Sequence, residues 1–250
     1  MVSPLVKIER PKRPLSPEVP FTQQQQDLHT CTGELLMAAP PLPAPPPPEP
    51  TGGIVAPVPV VAPHFCAPYV VQLSVKEKFS VIREGDFTIT DTNGAVVIRV
   101  KGAFISIHNR RRLLDTNGNP LLCLREKVIS MHNTWEAYRG DSSKSSDLLF
   151  TAKKSSIMQP FKTEMYIYLA SNTSHEACDF KMNGSFKERA CSFYLGNTNT
   201  LIAQMHRQHN VTSTVLGTDH YDVTVFPNVD YVFISALVVI LQELHTDKND

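Results

Sequence analysis

From residue 69 to residue 226, apolar side chains recur at every second position in short runs separated by turn-forming residues. Val96, Ile98 and Val100 fall on one side of such a run, with Val97, Arg99 and Lys101 on the other. Met165, Ile167 and Leu169 alternate with Tyr166 and Tyr168, and Tyr221, Val223 and Val225 alternate with His220, Asp222 and Thr224. A period of two over short runs marks half-buried β-strands, and counting the runs between turn signals predicts about ten to twelve of them. The turns agree. DTNG stands at Asp91–Gly94 and again at Asp115–Gly118, each time ahead of a new apolar run. Asn-Gly tolerates the positive φ angles of tight hairpin turns, so both stretches are expected to reverse the chain. A calcium loop is excluded, because Ile89, Leu113, Val100 and Leu124 stand where oxygen ligands are needed.

The pattern then changes. Residues 229–244 read VDYVFISALVVILQEL, with apolar side chains from Tyr231 to Leu241 interrupted only by Ser235. As a helix this apolar core covers about 17 Å, well short of the roughly 30 Å of a bilayer interior. Asn228 is a good N-cap, Asp230 suits the positive end of the helix dipole, and Gln242 and Glu243 close the run. Val232, Phe233, Ile234, Leu237, Val238, Val239, Ile240 and Leu241 cover every side. A helix apolar all round is enclosed, and here protein is expected to enclose it. The strands can supply that enclosure: the expected fold is mainly β, a closed barrel around a C-terminal hydrophobic helix at about residues 229–244, with no transmembrane span.

Composition divides the chain. Seventeen of its 20 prolines lie within residues 1–68, including the run PPLPAPPPPEP at 40–50, and a QQQQ tract precedes that run. Proline at this density favours extended, solvated backbone over a packed core. Residues 1–53 are therefore expected to be a disordered Pro/Gln-rich leader, 54–68 a Pro-rich lead-in, and 69–250 the barrel domain. PxxP spacing makes SH3, WW or profilin-type proteins candidate partners of the leader, and a scaffold recruiting partners through it is the alternative functional reading. The chain carries 24 basic and 24 acidic residues, which argues against direct nucleic-acid binding and against a global pull toward anionic membranes.

Cys31, Cys66, Cys123, Cys178 and Cys191 show no CxxC spacing, so neither a disulfide framework nor a zinc knuckle is expected. The start, MVSPLVKIERPKRP, lacks the apolar core of a signal peptide. An intracellular protein of the cytoplasm or nucleus is expected, with the sequons at Asn172, Asn183 and Asn210 unused. There is no GxSxG elbow, and no cysteine sits in a recognisable nucleophile context. His206 and His209 lack a third ligand at a metal-site spacing. A protein that is not an enzyme and holds no cofactor is the expectation.

Three segments carry a family resemblance: LLDTNGNPLLCLREKVISMHNTWEAYRG at 113–140, LASNTSHEACDFKMNGSFKERACSFY at 169–194, and YDVTVFPNVDYVFISALVVILQEL at 221–244. They resemble the plant LURP-one-related family, relatives of the tubby C-terminal domain and of phospholipid scramblases. The resemblance runs from roughly Ile54 to Leu244. It implies a tubby-like barrel of twelve strands around the hydrophobic helix, with glycine in many relatives where Asn228 stands here. It also implies a regulator tethered peripherally at a membrane, with a role in plant defence.

In a tubby-like barrel, lysine and arginine on one side hold an anionic phospholipid headgroup. Charge clustering nominates Lys101, Arg110, Arg111, Arg112, Lys153 and Lys154 for that role, since guanidinium groups grip phosphate bidentately. A scramblase-like calcium site is not expected. The stretch ahead of the last helix offers only Asp219 and Asp222, which face opposite sides of a strand.

Overall fold

The computed structural model describes residues 56–76, 86–102, 110–127, 134–155, 162–185, 190–207 and 220–246. The leader at 1–53, together with Cys31, His209, Asn210 and Asp219, lies outside the described residues.

Twelve strands run in chain order: β1 (Val71–Lys76), β2 (Phe87–Asp91), β3 (Val96–Gly102), β4 (Arg110–Leu114), β5 (Pro120–Glu126), β6 (Thr134–Arg139), β7 (Leu148–Lys154), β8 (Thr163–Leu169), β9 (Phe180–Ser185), β10 (Ala190–Leu195), β11 (Leu201–Arg207) and β12 (His220–Val225). Each pairs antiparallel with its sequence neighbours, and β1 pairs with β12, so the sheet closes into a barrel without an edge. A helix follows, α1 (Tyr231–Thr246).

The alternation read from the sequence sorts the side chains as expected. Ile98 and Val100 are buried while Arg99 and Lys101 are exposed; Met165 and Ile167 are buried, and so are Tyr221, Val223 and Val225. α1 fills the lumen, and every residue from Val232 to Leu244 is buried. Phe233 packs edge-on against Phe150, ring centroids 5.2 Å apart, and tilted against Phe180 at 4.8 Å. Trp135, Phe193 and Tyr221 are also fully buried.

The up-and-down order places the β2–β3, β4–β5, β6–β7, β8–β9 and β10–β11 connections at one end of the barrel, the turn end. The start of α1 lies there as well. Both DTNG stretches reverse the chain between paired strands, as expected. Only the glycine takes a positive φ, +82° at Gly94 and +88° at Gly118. Gly94 N–H donates to the Asp91 carbonyl and Asp91 N–H to the Ala95 carbonyl, while the Asp91 carboxylate accepts from the backbone N–H groups of Asn93 and Ala95. The same pattern recurs at Asp115–Asn119. These are three-residue loops with a left-handed glycine and a register shift beside them, rather than two-residue turns. Aspartate decides this by bonding its own turn.

The helix start also differs from expectation. Asp230, not Asn228, is the N-cap: its Oδ1 accepts from the N–H groups of Val232 and Phe233, both at 3.0 Å. Asn228 instead turns the chain with φ +65°, the left-handed region in which glycine and asparagine are the tolerated residues. Gln242 and Glu243 do not end the run in solvent. Both are buried, with Glu243 paired to Arg111 and Gln242 accepting from the Tyr221 hydroxyl at 3.2 Å.

A strap over residues 56–70 ties down the turn end. Val58 bridges to Val229, and the Arg139 guanidinium donates to the Val61 carbonyl at 2.8 Å. Asp230 Oδ2 accepts from Val60, Val61 and Ala62 N–H at 3.2, 2.7 and 3.2 Å. On the inner face, Gly184 opposes Cys191 so closely that a Cβ would stand 2.3 Å from the Ala190 carbonyl oxygen. Gly184→Ala is expected to cost about 2–3 kcal/mol in urea unfolding, because the obstacle is backbone and cannot rotate away.

Candidate functional site

The six basic residues singled out from the sequence do not form one cluster. β4 begins Arg110-Arg111-Arg112, and in a strand these point alternately outward, inward and outward. Arg111 shares the inner face with buried Leu113, and its guanidinium meets Glu243 of α1: Nη2 lies 2.7 Å from Oε2 and Nε 2.7 Å from Oε1. This bidentate pair closes the lumen beside the end of α1, with the Arg111 side chain 16% exposed. Arg111 is therefore a core residue, contrary to its nomination as a headgroup ligand. Lys154 lies on the inward row of β7 with buried Phe150 and Ala152, and it is half-buried. It too leaves the outer face.

Lys153 does face outward, but three strands from β4, about 14 Å around the barrel. Its ammonium lies 5.1 Å from the centroid of the Tyr168 ring and 3.2 Å from His175 Nδ1. It belongs to a separate aromatic patch.

What remains is a compact outer face on β3, β4 and β5. Lys101 stands directly opposite Arg112 in the β3–β4 register, with Arg99 two residues away on the same exposed row. Arg110 stands opposite Arg125 in the β4–β5 register. Arg110 Nε donates to Cys123 Sγ at 3.0 Å, which fixes the guanidinium along the sheet.

The β6–β7 turn adds one carboxylate to this face. Arg110 Nη2 lies 2.7 Å from Asp141 Oδ1, and Arg112 Nη1 lies 3.8 Å from Asp141 Oδ2. Two guanidinium groups thus share one carboxylate. Lys101 and Arg99 have no acidic partner among the described residues. Lys127 meets Glu136 at 3.4 Å on the neighbouring part of the sheet, and Glu136 also accepts from the Tyr138 hydroxyl at 2.8 Å. Burial first, and this hydrogen bond second, push the Tyr138 phenol up to about 12.

The four described cysteines are free thiols, and burial pushes Cys191 up to about 12 and raises Cys66 and Cys178 as well. A cleft of about 310 Å³ opens at the turn end, lined by Phe65, Val96, Val97, Leu121 and Tyr231, among others, with Asp115 the one charged residue among the described lining. Among the described residues, no lysine, arginine or histidine lines it.

A family model described as LURP-one-related matches residues 71–242, from the first strand to the last turns of the core helix. The chain belongs to the LURP-one-related family. Among its relatives, the protein LURP-one-related 15 of Arabidopsis thaliana is 43% identical over 205 residues, covering 80% of this chain and 94% of that one. LURP-one-related 10 of the same plant is 41% identical, covering 76% and 98%. An X-ray structure of an Arabidopsis thaliana protein superposes with a TM-score of 0.59 at 38% identity, covering 74% of this chain and 98% of that one. As a LURP-one-related protein the chain thus keeps the family's barrel and core helix. Among the described residues, no helix is long and apolar enough to cross a membrane.

The part of the site that sequence reasoning missed is Asp141. It follows β6, 29 residues along the chain from Arg112, and reaches β4 only because β5 and β6 fold back beside it.

Proposed function

We propose that this LURP-one-related protein is a non-enzymatic, tubby-like binding module whose outer face on β3–β5 takes anionic phospholipid headgroups and tethers the protein peripherally to membranes, as a regulator. The observation that carries this reading is the cationic surplus of that face: Lys101 opposite Arg112, Arg99 and Arg110 beside them, and one shared carboxylate from Asp141. Guanidinium groups held side by side on a rigid sheet suit phosphate oxygens, and little side-chain order has to be created on binding. The lumen is filled by α1, so a ligand is offered the outside of the barrel rather than its interior.

Juxtamembrane cations contribute about 1 kcal/mol each near an anionic surface. Lys101→Glu with Arg112→Glu is therefore expected to weaken binding to phosphoinositide-containing vesicles by at least about 30-fold. Circular dichroism should stay unchanged, since both side chains point away from the core. Vesicle co-sedimentation checks this. A folded double variant that binds as well as the parent removes the face from consideration, and a parent that ignores anionic vesicles removes the function.

A further inference from the structure

Asp141 occupies a telling position. Its carboxylate bridges Arg110 and Arg112, two outward-pointing residues of one strand, with Oδ1 toward one guanidinium and Oδ2 toward the other. Arg110 is held for this contact by a second anchor, the Cys123 sulfur, and it also donates to the Asp141 backbone carbonyl at 3.2 Å. A carboxylate and a phosphate present guanidinium groups with the same kind of acceptor: a pair of adjacent oxygens sharing negative charge. Asp141 thus sits where a ligand's phosphate would make its bonds.

The contact is not buried structural cement. The side chains of Arg112 and Asp141 are 42% and 47% exposed, and that of Arg110 is 33% exposed. Exposed pairs of this kind are weak and exchange with solvent and salt. At 3.8 Å the Arg112 arm is a loose one. The turn that carries Asp141 is held independently, since the Ser142 hydroxyl donates to Asp147 and Ser142 N–H donates to the Arg139 carbonyl. Asp141 can therefore leave the arginines without unravelling its loop.

We infer that Asp141 is a resident competitor: its carboxylate fills the anion site between Arg110 and Arg112, and a ligand phosphomonoester binds by displacing it. The inference rests on the reading of this face as an anion site, and it adds a built-in threshold to that reading. A phosphomonoester is the ligand chemistry that meets the threshold best. Its terminal phosphate carries about −1.5 to −2 charge at neutral pH, against a single charge for the carboxylate it replaces and for a phosphodiester. The protein would discriminate against singly charged lipid surfaces by making every ligand outcompete an acid already in place.

The test compares the full-length chain with Asp141→Asn and with Glu136→Gln. The second variant removes the same charge from the neighbouring strand without touching Arg110 or Arg112. Binding is measured to phosphatidylcholine vesicles doped with phosphatidylinositol bisphosphate, and separately to soluble inositol trisphosphate. Asp141→Asn is expected to tighten binding by about three- to fivefold, while Glu136→Gln changes it by less than about twofold. If both variants tighten binding equally, the effect is a general field and the competitor role is overturned. Weaker or unchanged binding by Asp141→Asn overturns it as well. If neither the parent nor Asp141→Asn binds either probe, the anion-site reading itself falls and takes the competitor role with it. A gain shared by the soluble phosphate identifies recognition of the free phosphomonoester, whereas a gain confined to vesicles identifies the lipid headgroup; both uphold the displacement.

Discussion

Asp230→Ala is expected to lower the unfolding free energy by about 4 kcal/mol and the melting temperature by about 8–16 °C. One carboxylate here serves five backbone N–H groups, two at the start of α1 and three in the strap. Loss of an N-cap alone costs about 1 kcal/mol. The larger share comes from the strap, whose N–H groups would be left without acceptors around a site that is 0% exposed. Urea and thermal unfolding read the loss directly. Asp230→Asn keeps one acceptor oxygen and is expected to lose about half as much.

The same residue sets a pH dependence. Burial pushes the Asp230 carboxyl above its ordinary value of 3.8, and the backbone donors offset only part of that shift. A carboxyl raised in the folded state is relatively better protonated there than in the unfolded chain. Its contribution is therefore fullest below 3.8 and declines as pH rises through the folded value. Asp230→Asn should flatten that decline.

Arg111→Ala is the second large effect, at about 3–4 kcal/mol, because it strands the Glu243 carboxylate inside the barrel. Glu243→Ala should cost a similar amount for the converse reason. The double replacement Arg111→Met with Glu243→Leu restores an apolar pair of similar volume and is expected to come within about 1 kcal/mol of the parent, or to exceed it. This cycle also separates packing from recognition. If Arg111 only closes the core, the stable double variant binds anionic vesicles as the parent does. A stable double variant that has lost binding would return Arg111 to the ligand-contacting surface.

Much of this was written in the side-chain alternation. Ile98 to Lys101 and Met165 to Leu169 took the faces that their period assigns, whereas Val97, at the β2–β3 register shift, packs on the core against the alternation; the apolar girdle of 231–241 required a wrapping that the twelve strands provide. The same rule could have sorted the basic residues. Arg111 shares parity with Leu113, and Lys154 with Ala152 and Phe150, so both belong inward. Charge clustering along the chain concealed this, since consecutive residues of a strand never share a face. Glu243 was misread for a related reason: a polar residue at the end of an apolar run looks like the start of solvent, when a barrel can supply it with a partner 132 positions earlier. The cap shifted from Asn228 to Asp230 because only the geometry shows which backbone leaves the helical region. Asp141 was beyond reach of any local pattern, since its neighbours are set by how β4, β5 and β6 lie side by side.

The order in which the parts are synthesised has a consequence of its own. All twelve staves of this cask are made before the rod that fills it, and the strap near the beginning is fastened to Asp230, about 170 residues later. A ribosome-bound chain therefore exposes the oily lining of every stave until α1 emerges. Translation of this protein should depend on holding factors that shield nascent β-structure, and stalling just before α1 should yield insoluble product rather than a smaller folded domain.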